Sequence, residues 1–212
     1  MSQAAEDEPT RFTWDDYRTW PDDARWELLG GHAFAMSPSP ETRHQSVLRE
    51  LGGQLFLHFR GHRCQVFFAP MDVKLSAEDV VQPDILLVCD PRQITRTHIE
   101  GPPTLAVEIL SPHSLAHDRV RKTAVYARFG VKEYWIVTPH PAVVEVFLLD
   151  GQSYRLHGAY EQHQELISPS FPDLRVDLTP VFAFPLDPGE EPPVVREPPG
   201  NYRTSGAAAE GK

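Results

Sequence analysis

Val81-Gln82-Pro83-Asp84-Ile85-Leu86-Leu87-Val88, followed at 105–110 by Leu105-Ala106-Val107-Glu108-Ile109-Leu110, is the stretch whose reading decides the fold. Both segments contain short, continuous apolar runs, the mark of strands buried on both faces. Each also carries one acid. Asp84 leads into the first run, and Glu108 lies inside the second. Strand alternation places Glu108 on the face it shares with Ala106 and Leu110. A carboxylate there is costly unless it is paired or binds a metal. One such acid alone reads as structural. Two of them on neighbouring strands, with a basic helix next in sequence, read as a metal site.

That helix comes next. Residues 113–132 carry Arg119, Arg121, Lys122, Arg128 and Lys132 against a single acid, Asp118. Ser114 is placed to cap a helix over Leu115 to Phe129, which Gly130 ends. Asp118, Lys122 and Tyr126 then share one helix face at i, i+4 spacing. Magnesium takes oxygen ligands, usually one or two carboxylates plus water and phosphate oxygens. A lysine beside the bound water can orient it, help deprotonate it, or offset charge on the phosphoryl oxygens. Lys122 is the candidate, with Arg119, Arg121 and Arg128 as phosphate contacts if the helix faces the groove. Spacing alone leaves a second reading open, a surface helix with an ordinary Asp–Lys pair.

Outward from this core, Thr13-Trp14-Asp15-Asp16 starts a capped helix that Pro21 stops after Trp20. Gly30-Gly31, between Trp26-Glu27-Leu28-Leu29 and His32-Ala33-Phe34-Ala35-Met36, signals a hairpin. His44 to Arg60 has helical apolar spacing, weakened by Gly52-Gly53. Gln65 to Leu75 reads as strand interrupted at Pro70, and Glu133 to Val137 as strand. Val143–Leu149 and Ser153–His157 form a second hairpin around Asp150-Gly151. Phe171 to Phe184 closes the fold with a short strand and turn. The order predicts an α/β (α+β) domain over 11–185, a mixed sheet flanked by helices. Residues 1–10 and the Pro/Gly/Glu-rich 186–212 read as disordered.

The chain has 212 residues, 41% apolar and 24% charged, which suits one folded domain with tails. No apolar run is long enough to cross a membrane as a helix, and the polar, acidic first residues do not read as a secretory signal. Cys64 and Cys89 form neither a disulfide framework nor a zinc spacing, so a reduced, cytoplasmic setting is expected. The net charge of −10 argues against a nucleic-acid partner at first sight. The flanks carry most of it, however. Residues 1–24 hold net −5, residues 183–212 net −2, and the middle only −3. An acidic chain can still present a basic patch at one site.

Ten histidines invite a zinc reading. His58 and His62, and His113 and His117, stand four apart, but neither pair carries a metalloprotease glutamate and no fourth ligand is evident. His44 reads first as part of a solvated helix N-terminus and, second, beside Arg43, as a phosphate contact. No phosphate-cradling glycine loop and no nucleophile elbow occur. Tyr134 and Trp135 read as core.

From Trp26 to Phe182 the chain resembles the Uma2 restriction-endonuclease family of the PD-(D/E)xK nuclease superfamily. The matching pieces are Trp26-Glu27-Leu28-Leu29, Met36-Ser37-Pro38-Ser39-Pro40 with His44, Val81-Gln82-Pro83-Asp84, and Val107-Glu108-Ile109-Leu110-Ser111-Pro112. Asp118, Lys122, Tyr126 and Gly130-Val131-Lys132-Glu133-Tyr134-Trp135-Ile136-Val137 complete them. The resemblance implies a restriction-endonuclease-like core and Mg (or Mn) dependent hydrolysis of DNA. Asp84 would be the first metal-binding acid and Glu108 the second. Leu110 stands where the (D/E)xK element has its lysine, and Lys122 on the following helix matches the family's replacement for it. Glu27 matches an upstream acid that assists, ranked below the other three. Ser111, Asp118, Tyr126 and Tyr134 match positions around the site. The family also suggests a homodimer, which the residues themselves do not show. The alternative is a nuclease-fold protein with weak or no catalysis, acting as a nucleic-acid-binding or regulatory module. The acidic balance and the missing local lysine motivate it.

Overall fold

A computed structural model of the protein describes residues 10–21, 24–36, 41–111 and 117–184, with the backbone alone at 117–119. The disordered ends expected at 1–10 and 186–212, Thr10 apart, and the Ser114 cap lie outside the described residues.

Helix α1 spans Trp14–Tyr17 and begins as expected, with a Thr13/Asp16 capping box. It ends one turn later, short of Trp20, whose ring packs instead on Phe12 and Trp26. Strands β1 (Trp26–Leu29) and β2 (His32–Ala35) form the first hairpin. Gly30 and Gly31 both take positive φ, 57° and 79°, as the tight twisted turn between them requires. Helix α2 runs Thr42–Phe59.

The segment read as one interrupted strand, Gln65 to Leu75, divides instead between two sheets as β3 (Gln65–Phe68) and β4 (Val73–Lys74). Pro70 has no N–H to give to a ladder, so pairing stops there. Next come β5 (Val80–Val81), β6 (Ile85–Val88), β7 (Ile99–Glu100) and β8 (Leu105–Ile109). Helix α3 (His117–Phe129) leads to β9 (Glu133–Thr138). A long hairpin, β10 (Val143–Asp150) and β11 (Ser153–Glu161), follows. The chain closes with β12 (Glu165–Ile167), β13 (Arg175–Asp177) and α4 (Leu178–Val181). The expected closing turn is thus a helical turn, capped by the Asp177 side chain on the Thr179 amide.

Six strands form the central mixed sheet, in the order β11-β10-β9-β8-β6-β3. The two apolar runs are antiparallel neighbours, with Ile85 opposite Val107. Strands β8 and β9 are parallel, and α3 is the crossover that such a pair needs. A second sheet, β2-β1-β5-β4-β7, was not resolved from the sequence, which showed one sheet only. Its strands β4, β5 and β7 are two residues long, below what alternation can reveal.

Two cores separate on the faces of the central sheet. Leu51, Leu55 and Phe59 of α2 pack on Ile85, Leu87, Val107 and Trp135. On the opposite face, Val125 and Tyr126 of α3 pack with Ala106, Leu110, Tyr134 and Ile136, and with Val73 and Val81 of the small sheet. Leu110 is therefore core, which is why no lysine stands there. Tyr134 and Trp135 are buried, as expected.

Cys64 and Cys89 are joined as a disulfide across the ends of β3 and β6, correcting the expectation of two unpaired thiols. Antiparallel pairing of Gln65 with Val88 sets these two residues side by side, which a separation of 25 positions conceals. The cytoplasmic expectation no longer follows from the cysteines. No helix among the described residues is long and apolar enough to cross a membrane.

The two adjacent glycines of α2 behave differently. A side-chain carbon at Gly52 would overlap the Phe68 ring, whereas Gly53 has open space. Gly53→Ala is expected to stabilise the protein by about 0.5–1 kcal/mol. Gly52→Ala should destabilise it by about 1 kcal/mol, because the Phe68 ring must give way. Urea midpoints of the two variants check this, and equal shifts would show that α2 does not lie against Phe68.

Candidate active site

The site forms where β8 leaves the central sheet and the chain crosses over through α3. Asp84 sits just before β6, and its Oδ2 accepts from the Ile109 amide at 2.7 Å. Glu108 projects from β8 toward α3, on the face of Ala106 and Leu110. Lys122 reaches back from α3 and donates to both oxygens of Glu108, at 3.1 Å each. The same ammonium stands 2.9 Å from Glu27 Oε1. Tyr126, one turn further along α3, donates to Glu108 Oε1 at 2.6 Å. Tyr134 packs against the Tyr126 ring, with centroids 5.1 Å apart.

Glu27 is no solvated hairpin acid. It is 5% exposed, and its Oε1 also accepts from the Gln82 amide at 2.8 Å. The hairpin carries it inward because β1 pairs with β5, Leu28 opposite Val80, directly before Gln82. Lys122, also open to reading as a surface residue, is 7% exposed. Of the three acids, Asp84 is the most accessible, its side chain 18% exposed against 7% for Glu27 and 10% for Glu108.

His44 needs a second correction. Instead of a solvated helix N-terminus it is a largely buried side chain, 11% exposed, its Nε2 3.2 Å from Asp84 Oδ1. Its Nδ1 is buried with no hydrogen-bond partner among the described residues. An unpaired buried polar atom costs on the order of 1–3 kcal/mol. Sequence reasoning also missed a network behind Glu27. Gln82 accepts from Arg25 and donates to Asp72 and to Tyr17, whose hydroxyl in turn donates to Asp72. The signal for both was present, since His44 and Gln82 stand within the matched pieces; side-chain direction was not.

The electrostatics follow from burial. Burial pushes the Glu108 carboxyl up to about 7; Lys122 opposes this, while Asp84 and Glu27 add to it. For Lys122, burial favours the neutral amine, but Glu108 and Glu27 outweigh it and hold the ammonium well above its usual range. Burial likewise disfavours a charged His44, and the hydrogen bond and charge of Asp84, with Glu108 behind it, outweigh that and raise it. Burial and the neighbouring acids keep the Tyr126 hydroxyl protonated.

Three carboxyl groups thus gather around the Lys122 ammonium and the His44 imidazole, a surplus of acids that a divalent cation would balance. All the donors are oxygens, which suit magnesium or manganese. No three His, Cys, Asp or Glu side chains converge as a metal-binding set among the described residues. By donor chemistry alone, the carboxylates of Asp84 and Glu108 would suit such an ion, with water completing its shell. They do not fit a closed zinc site, and His58 and His62 show only a ring contact, centroids 5.6 Å apart.

The remaining sequence candidates lie around this centre. Arg128 is 2.6 Å from Asp79 and lies over the Phe129 ring. Arg121 lies over Phe34, 4.7 Å from the ring centre. Ser111 is the second residue after β8. The side chains of Asp118 and Arg119 lie outside the described residues, as does His113.

Residues 14–179 match a family model described as "Uma2: Putative restriction endonuclease". The chain belongs to the Uma2 family. The uncharacterized protein slr1290 of Synechocystis sp. is 26% identical over 138 residues, 63% of this chain and 72% of that one. A crystal structure from Anabaena variabilis, described as a putative nuclease belonging to DUF820, superposes with a TM-score of 0.64 at 20% identity. It covers 81% of this chain and 97% of that one, and it shows that the two chains share a fold. The Uma2 match spans every acid of the site as well as Lys122, from Glu27 on the small sheet to the end of α3.

Proposed function

We propose that this Uma2 protein is a metal-dependent endonuclease that hydrolyses phosphodiester bonds of DNA, with Asp84 and Glu108 holding Mg or Mn and Lys122 positioning the attacking water. The observation that carries the reading is the buried Lys122 ammonium bound to Glu108 and Glu27 beside Asp84, on a face with more acids than bases.

Such an ion, when bound, acidifies water and offsets charge on phosphoryl oxygens. The chain's own residues do the rest. Lys122 stays charged, so it acts as a donor and not as the base. Its ammonium has three hydrogens, and two of its contacts converge on the single Glu108 carboxylate. One of them can turn to the attacking water or to a phosphate oxygen while Glu27 keeps the ammonium in place. Tyr126 holds Glu108 through Oε1. Gln82 fixes Glu27 through its amide and is itself anchored by Arg25, Asp72 and Tyr17. The arginines of α3 would lie along the DNA backbone. Contact from Arg121 or Arg128 requires each to exchange its present ring or ion-pair partner for phosphate.

Linear and supercoiled DNA incubated with the protein in Mg or Mn, against EDTA, tests the proposal. Cleavage is expected with either ion and not in EDTA. Asp84→Ala should lower the rate by about a hundredfold or more. Wild-type rates in Asp84→Ala, or no cleavage with either ion, would overturn it.

A further inference from the structure

Asp84 is held at both ends of its carboxylate. Ile109 N–H takes Oδ2 at 2.7 Å, and His44 Nε2 stands 3.2 Å from Oδ1. The two contacts come from different parts of the fold, β8 and the first turn of α2. Rotation of the carboxylate would break both. Among the described residues each oxygen has this one side-chain or amide contact, and a carboxylate offers about four lone-pair sites.

The surroundings of His44 suggest that it is not kept for stability. Among the described residues it interacts with the Asp84 side chain and with the backbone of Ile109, and its Nδ1 is buried without a partner there. An imidazole serving only to fill space would be replaced at less cost by an apolar side chain. What it visibly accomplishes is the orientation of Asp84, whose other anchor is the amide next to Glu108. The two contacts thus tie the first acid to the strand that carries the second and to α2.

We propose that His44 is a positioning residue: with the Ile109 amide it holds the Asp84 carboxylate in the one orientation in which Asp84 would serve, with Glu108, as a ligand to a divalent cation. This rests on the metal-dependent reading above. Partners of this kind, bonded to a metal ligand, typically change metal affinity 10–100-fold when removed.

The test is calorimetric titration of Mn into the full chain for wild type, His44→Ala, His44→Gln and Asp84→Ala, with melting curves in EDTA. His44→Ala is expected to weaken Mn binding about 10–100-fold while its Tm stays within about 3 °C of wild type. His44→Gln can return an N–H to the same oxygen and should recover affinity to within about fivefold of wild type. A merely structural histidine would move Tm and leave Mn affinity alone. Wild-type affinity in His44→Ala, or a glutamine variant no better than the alanine one, would overturn the positioning role while leaving the metal site intact. Should His44→Ala fail to fold, the glutamine variant decides: near-wild-type affinity supports the clamp, and loss overturns it. Absence of Mn binding by wild type would remove the metal site and, with it, the role of His44.

Discussion

Lys122→Met is expected to lower the melting temperature in EDTA by roughly 10 °C and to abolish cleavage. The side chain is buried against Glu27 and Glu108, with Asp84 nearby. Methionine fills most of the volume, so the loss is electrostatic and not a cavity. Removing one partner of a buried ion pair costs about 3–5 kcal/mol, because the other is left uncompensated. In a protein of this size each kcal/mol moves Tm by about 2–4 °C. Calorimetric melts at pH 8 provide the measurement. The double variant Lys122→Met, Glu108→Gln should recover a substantial part of the loss, since it removes one of the stranded charges. A Tm for Lys122→Met within about 2 °C of wild type would show that the ammonium is not buried between the acids.

Glu108→Gln is expected to act in opposite directions on activity and stability. Cleavage should fall by about a hundredfold or more, because one of two carboxylates for the ion is gone. Stability without metal should rise at pH 8. The carboxyl is pushed up to about 7 in the folded protein, above its ordinary 4.5, chiefly by burial. Between those values the folded state keeps a proton that the unfolded chain releases. Stability from this group is therefore present at low pH and declines as pH rises through that window. Glutamine carries no such penalty and keeps one oxygen to accept from Tyr126 and Lys122, while its NH2 gives up the second acceptor for the ammonium. The Tm advantage of Glu108→Gln should be largest near pH 8 and vanish toward pH 5. A variant that melts below wild type at pH 8 would mean that the carboxylate stabilises the fold. The excess acidity of the site would then not be a cost borne for function.

The sequence showed the two central strands because burial on both faces leaves uninterrupted apolar runs at Ile85–Val88 and Leu105–Ile109. It showed the face of Glu108 because strand period is two, and it showed Lys122 and Tyr126 together because helix period brings i and i+4 into line. It also carried the Uma2 resemblance, and with it the candidate set Glu27, Asp84, Glu108 and Lys122. These are local or pattern properties, readable from residue order.

Other features were decided by contacts across long separations. Glu27 lies inside because β1 pairs with β5, in a sheet whose shortest strands are too brief to show periodicity. His44 is buried because the start of α2 meets the turn before β6, 40 residues on, and no pattern in α2 announces that meeting. Cys64 and Cys89 are paired because β3 and β6 run antiparallel with Gln65 opposite Val88. The charge state of the site is also tertiary, since the same glutamate is an ordinary acid in water and an acid with a pKa near 7 when buried beside Asp84 and Glu27. Which residues could carry the chemistry was determined by the sequence. Which of them share one desolvated space, and therefore which proton each one holds, was decided only when the fold brought β1, β6, β8, α2 and α3 together and excluded water from between them.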